Sequence, residues 1–84
     1  MKDVNENLSK KYLKLNVAHC YYPDIFVQMA MTYLDKRIIY NDELRKQIYL
    51  TAGDAMGEYF SQRQVDLLVH YLGKPKLNLE EYAQ

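Results

Sequence analysis

The stretch SQRQVDLLVHYLGKP, residues 61–75, decides the fold class, because it contains the start, the face and the end of one helix. Ser61 followed by Gln64 three residues later is the pattern of a capping box, which satisfies two free backbone amides. Gly73 suits a left-handed C-terminal cap, and Pro75 cannot continue a helix. Apolar residues recur between these signals at the spacing of one helical face: Val65, Leu68, Val69 and Leu72.

A first helix is predicted upstream, from about Val4 to Tyr21. Asp3 and Glu6 have the spacing of a capping box in which the aspartate is the cap. One helical face of this segment collects apolar and aromatic side chains, while the lysines lie off it. The residues on that face are Leu8, Tyr12, Leu15, His19 and Tyr22.

A second helix is predicted over residues 23–36. Pro23 suits the first position of a helix, and Asp24 complements the positive N-terminal end of its dipole. The helix is apolar over more than half of its circumference, which is typical of a helix at the centre of a core or at an interface. Its apolar residues are Ile25, Phe26, Val27, Met29, Ala30, Met31, Tyr33 and Leu34.

A third helix is predicted to begin after Asn41, which can cap it, and to continue to about Phe60. The three residues 38–40 before it are ambiguous between a helix end and a brief extended link. Gly53 and Gly57 lie four residues apart within this segment. Their spacing indicates close approach by another helix, unless the glycines are simply tolerated or mark a kink or break near Gly53.

The predicted fold is therefore all-α, a compact bundle of three long helices and one short helix in a single domain, residues 1–84. A sharp corner is expected where the third helix meets Ser61. Asn78 could cap one extra C-terminal turn. Residues 74–84 form a flexible tail, or an arm that docks on its own body or on a second copy.

Composition limits the classes of partner. Eleven basic and eleven acidic residues balance to zero, which disfavours a nucleic acid held by bulk charge. The sequence contains no apolar run of about 20 residues and no N-terminal apolar segment of a signal peptide, so no membrane association is expected. A single cysteine cannot form an internal disulfide and suits a reducing compartment. We therefore expect a cytoplasmic protein.

The residues that could carry chemistry are few: His19, Cys20 and His70. His19 and Cys20 are neighbours on a helix and point about 100° apart, so they cannot form a dyad with each other. Cys20 and His70 could meet only through the tertiary fold. No spacing typical of a metal site is present, and no glycine-rich loop that would hold a phosphate. We therefore predict no enzyme activity, no catalytic residues, no cofactor and no metal.

The segment 23–36 instead favours protein–protein contact, because it is apolar over more of its circumference than one contact with the core would cover. Aromatic and methionine side chains are enriched at such contacts and adapt readily to a partner. The function predicted is a small non-enzymatic interaction module, an adaptor, regulator or inhibitor, that also forms a homo-oligomer. The residues predicted for the contact are Tyr21, Tyr22, Phe26, Met29, Met31 and Tyr33.

A transcription regulator that binds DNA is the alternative. The run 50–68 follows the order of a helix-turn-helix motif, with a helix end near Phe60, a corner and a second helix over residues 61–72. Arginine and glutamine at the start of that second helix suit guanine and adenine edges in a major groove. The residues predicted for DNA contact are Gln62, Arg63 and Gln64.

Overall fold

The computed structural model describes residues 10–52 and 57–84. In these ranges the chain forms four α-helices, a two-stranded antiparallel sheet and a C-terminal 3-10 helix. In chain order these are β1 (Lys11–Leu13), α1 (Lys14–Tyr21), α2 (Val27–Ile39), α3 (Asp42–Leu50), β2 (Tyr59–Ser61), α4 (Gln62–Leu72) and the 3-10 helix (Leu79–Tyr82). The protein is mostly helical and compact, as predicted, and the prediction of three long helices is roughly consistent with it, but the small sheet means that the fold is not plainly all-α.

The sheet forms around one pair of aromatic residues. Tyr12 of β1 lies directly opposite Phe60 of β2, and the two are 2% and 4% exposed. Aromatic side chains favour extended backbone, and cross-strand aromatic pairs stabilise a sheet. The pair therefore overrides the helical pattern at both of its positions.

The sheet also explains where α1 begins. The prediction of helix from Val4 is wrong at residues 11–13, which form β1, while the predicted Asp3–Glu6 capping box lies outside the described residues. Lys14 donates its backbone N–H to the carbonyl oxygen of Glu58, just before β2, at 2.7 Å. This bond satisfies one of the amides that the first turn of a helix leaves free.

Helix α2 is shifted toward the C-terminus relative to its prediction. Residues 23–26 form the turn between α1 and α2, so the helix begins at Val27 rather than at Pro23. It continues through Ile38 and Ile39, which resolves the ambiguity at that point in favour of helix. Ile38 is buried in the core, and its burial stabilises this last turn.

Helix α3 starts as predicted but ends early. The Asn41 side chain accepts a hydrogen bond from the Leu44 amide at 3.0 Å, which confirms the cap. The helix ends at Leu50, so the prediction of helix to Phe60 is wrong. Gly57 has a φ of 64°, and a Cβ built on it would meet nothing within 4 Å. It therefore serves a turn and not a helix contact; Gly53 lies outside the described residues.

Helix α4 has the predicted start and a modified end. The Ser61 amide donates to Gln64 Oε1 at 2.9 Å, and the Gln64 amide donates to Ser61 Oγ at 3.1 Å, which confirms the capping box. Strand β2 leads directly into this cap, so the corner predicted between two helices is wrong. Gly73 has a φ of 88°, as a glycine cap requires, but its ψ of 175° is extended rather than left-handed helical.

We call residues 74–84 the C-terminal arm. Of the alternatives predicted for these residues, the structure has the one in which the arm packs on its own body. The amides of Lys76 and Leu77 donate to the carbonyl oxygen of Cys20, and Gln84 exchanges two backbone hydrogen bonds with Lys11. Asn78 caps the 3-10 helix, as predicted, by accepting from the Glu80 amide at 3.0 Å.

The core lies between the four helices, with the sheet at one side. Its fully buried larger side chains come from every helix and are Val17, Cys20, Leu34, Leu44 and Leu68. Ala18 of α1 and Ala30 of α2 are also completely buried. Their small side chains allow α1 and α2 to pack closely, and this pairing determines which face of α2 remains outside.

We expect Gly73→Ala to lower the free energy of unfolding by about 1–3 kcal/mol, the usual cost of placing another residue in a backbone conformation reserved for glycine. A Cβ there would meet nothing within 4 Å, so the cost comes from the backbone and not from a clash. Urea denaturation followed by circular dichroism measures the change, with Lys74→Ala as the control. Equal stability of the Gly73 variant and the control would contradict this interpretation.

Candidate protein-interaction surface

Helix α2 carries large apolar side chains on its solvent-facing side. Phe26, at the N-terminal boundary of the helix, is 82% exposed, Met29 is 48% exposed and Tyr33 is 43% exposed. Spacings of three and four residues place them on one helical face. We call these three residues the α2 strip.

The opposite face of the same helix explains why the strip points outward. Ala30, Leu34 and Ile38 lie in the core. A chain of this size has one small core, which can cover only one side of a helix that is apolar on two sides. The strip is therefore an apolar surface of α2 that the fold leaves uncovered.

The side of the strip toward α1 is extended by Tyr22 and Arg37. The Tyr22 ring packs edge-on against the Tyr33 ring, with centroids 5.7 Å apart and an interplanar angle of 85°. Arg37 donates from Nη1 to the Tyr22 hydroxyl oxygen at 3.3 Å. These contacts hold Tyr33 in place, so that part of the surface is ordered.

Two of the residues predicted for this surface lie elsewhere. Tyr21 is only 6% exposed, and its hydroxyl donates to the carbonyl oxygen of Gly73 at 2.7 Å. Met31 is half-buried and packs against the core. The sequence analysis placed both residues in one aromatic and methionine-rich group. In the structure, the helical period turns the Met31 side chain toward the core. Tyr21, the last residue of α1, points toward α4.

A second group of exposed apolar residues was not predicted from the sequence. Ile39, Tyr40, Tyr49 and Leu50 are 53%, 81%, 78% and 74% exposed. A shallow cavity of about 380 Å³ lies at the end of α3, lined by Arg45, Lys46, Tyr49 and Leu50. The signal available was that Tyr49 and Leu50 fall off the apolar stripe of their helix.

Two of the residues predicted for DNA contact make hydrogen bonds within the protein. Gln64 is buried, and its Nε2 donates to the carbonyl oxygen of Thr51 at 3.1 Å, so it cannot reach a base edge. Gln62 accepts from the Tyr12 hydroxyl at 2.6 Å and donates to Asp66 at 2.9 Å. Arg63 is exposed. A strand, and not a helix, precedes α4, so the helix-turn-helix order expected over 50–68 is wrong.

The three residues that could carry chemistry, His19, Cys20 and His70, each make separate contacts. Cys20 is a free, fully buried thiol, and burial raises its pKa, which opposes formation of the reactive thiolate. His19 packs edge-on against Tyr82, and the exposed His70 packs against Tyr71. Within residues 10–52 and 57–84, no group of three His, Cys, Asp or Glu side chains is placed to hold a metal ion. In the same ranges, every helix is too short or too polar to cross a membrane.

Residues 9–75 match the family model described as a domain of unknown function, DUF4248, and the chain belongs to this family. The matched region runs from before β1 to just past α4 and includes the whole α2 strip, while nearly all of the C-terminal arm follows it. No curated protein and no solved structure matches the chain significantly.

The buried phenol of Tyr21 leads to a prediction about alkaline pH. Burial is the main cause that raises the pKa of Tyr21 from 10.0 to about 12. Because the folded state retains this proton longer than the unfolded state, the contribution to stability is complete below about pH 10 and is lost as the pH rises toward 12. We expect Tyr21→Phe to remove this part of the pH dependence.

The same variant also loses the hydrogen bond to Gly73, which costs about 1 kcal/mol at neutral pH. Urea unfolding at a series of pH values between 7 and 11 measures both effects. Tyr40→Phe, which alters an exposed phenol, is the matched control. Parallel stability curves for wild type and Tyr21→Phe would refute the assignment.

Proposed function

We propose that the protein is a small non-enzymatic interaction module, an adaptor, regulator or inhibitor, that docks on other proteins through the α2 strip. The observation that carries this proposal is the exposure of Phe26, Met29 and Tyr33 together on one face of an ordered helix. Scattered single apolar residues are normal on a protein surface, but a grouped set on one helical face is typical of helix-in-groove recognition.

The strip has the composition of a binding hot spot. Aromatic and arginine residues dominate the energetics of protein interfaces, and burying a side chain such as Phe contributes about 1.5–3 kcal/mol. Association itself costs at least about 4 kcal/mol, so three such side chains alone support only weak binding. A partner must therefore also contact the polar rim, where Gln28 and Lys36 are exposed.

Preorganisation strengthens the proposal. Tyr33 is held by Tyr22, and Tyr22 accepts a hydrogen bond from Arg37. Side chains that are already positioned lose less conformational entropy when a partner binds. The buried, unpaired Cys20 suits a reducing environment, so we propose that the module acts in the cytoplasm.

We expect Phe26→Asp to abolish capture of partner proteins, because it places a charge at the most exposed position of the strip. The experiment compares proteins retained from host lysate by tagged wild type, Phe26→Asp and Tyr40→Asp. Tyr40 is 81% exposed and lies outside the strip, so its variant is a matched control. Partners that are retained equally by all three proteins would contradict docking at this surface.

A second candidate function, duplex DNA binding, is favoured by the connection between α1 and α2. These helices are joined by a turn of five residues, 22–26, close in length to the turn of a helix-turn-helix motif. In that motif the second helix enters the major groove, and here it would be α2 rather than the originally predicted residues 61–72. The solvent face of α2 next to the strip carries Gln28, Thr32 and Lys36.

Local charge supports this second candidate. Residues 10–39 contain five basic and two acidic side chains, a net charge of +3, whereas the whole chain is neutral. Non-specific DNA affinity comes from such local basic groups. The apolar α2 strip beside these polar residues argues against DNA binding, because bases and phosphates offer little apolar surface against which its side chains could be buried.

The DNA function predicts duplex binding that weakens with salt and depends on Lys36. Fluorescence anisotropy with a labelled random duplex measures it over a salt series. Lys36→Ala should reduce the slope of log affinity against log salt by about one, while Lys74→Ala should leave it unchanged. Absence of duplex binding by the wild type at low salt would end this candidate.

A further inference from the structure

We propose that a partner of the α2 strip is a second copy of this chain, and that the two α2 helices pack antiparallel about a two-fold axis. This inference rests on the proposed docking function and names its occupant. It is carried by the order of apolar and charged side chains along α2, which is complementary to itself when reversed.

The residues of the strip are placed symmetrically about one position in the sequence of α2. Met29 and Tyr33 lie symmetrically about position 31, and Phe26 and Lys36 share that midpoint. In an antiparallel pair, Met29 of one copy therefore meets Tyr33 of the other, and the reverse holds as the symmetry requires. Phe26 of each copy lies beside the Lys36 ammonium of the other, an arrangement that permits a cation–π contact.

Charge complementarity selects the antiparallel direction. The exposed Asp24 precedes the strip, whereas Lys36 and Arg37 follow it, so Asp24 of one copy meets these basic side chains of the other. Asp42 and Glu43 line one cavity with Lys36 and Arg37 but lie past the end of α2, in the first turn of α3. A parallel pair would place like charges together at both ends. Asp35, the acidic residue within α2 itself, lies on the far side of the helix from the strip, as its spacing from Met29 and Tyr33 requires.

The helix dipoles favour the same direction, because antiparallel dipoles attract. The contact is short, since the 13 residues of α2 span about 20 Å. An interface of this size belongs to the weak and transient class. The dimer is therefore expected to dissociate on dilution, which leaves the strip open to other proteins.

The test is sedimentation equilibrium on the full-length protein at concentrations up to roughly 1 mM, where weak complexes form. Asp24→Lys should weaken association at least tenfold, because it places like charges together at both ends of the interface. Lys36→Asp should also weaken association, because it sets an acidic side chain toward Asp24 of the other copy and leaves only Arg37 as a basic group there. The double variant should associate more strongly than Asp24→Lys, because the new lysine then faces the new aspartate. Lys36 is preferred to Arg37 because Arg37 also holds Tyr22.

Two controls separate this pairing from general effects. Lys74→Asp changes the net charge as Lys36→Asp does, but on the C-terminal arm, and should leave association unchanged. Met29→Asp, which places a charge against Tyr33 of the other copy, should abolish it. Circular dichroism of each variant verifies its folding.

Three results would overturn the inference. One is a wild type that stays monomeric over the whole concentration range, and another is a dimer insensitive to Met29→Asp. The third is a double variant that associates no more strongly than Asp24→Lys. A monomer that still captures other proteins through Phe26 would leave the docking function standing, so the two proposals fail separately.

Discussion

The structure depends on the pairing of Tyr12 with Phe60 across the two short strands. This contact joins the segment before α1 to the segment before α4, so it brings together parts of the chain that are 48 positions apart. The Tyr12 hydroxyl bonds Gln62, and the backbone of Tyr12 also bridges to Ala83 of the C-terminal arm. Three parts of the chain therefore meet at one buried residue, Tyr12.

The second constraint is the size of the core. Helix α2 is apolar on two sides, but the interior formed by α1, α3 and α4 covers only the side of Ala30, Leu34 and Ile38. Adding another layer would need more chain than 84 residues supply. The exposed strip is thus a direct result of a strongly apolar helix in a small domain, and its apolar character suits contact with protein better than contact with a nucleic acid.

Local signals in the sequence predicted the structure best. The Asn41 cap, the capping box at Ser61 and the Asn78 turn each depend on two or three neighbouring residues, and all three are confirmed. The strands could not be predicted in this way, because Tyr12 and Phe60 each fit a helical period until their distant pairing is known. The strip was partly predictable: helical spacing identified its residues, but only the packing of α1 on α2 excluded Tyr21 and turned Met31 inward.

The paired amides and carbonyls of Lys11 and Gln84 have a consequence for how the molecule forms. A contact between positions 73 residues apart closes a loop of almost the whole described chain, and such loops close late in folding because of their entropic cost. During translation the edge of the sheet remains open until Gln84 has been synthesised. Until then the newly made protein exposes unpaired strand groups to its crowded surroundings, where association with neighbouring chains competes with completion of the fold.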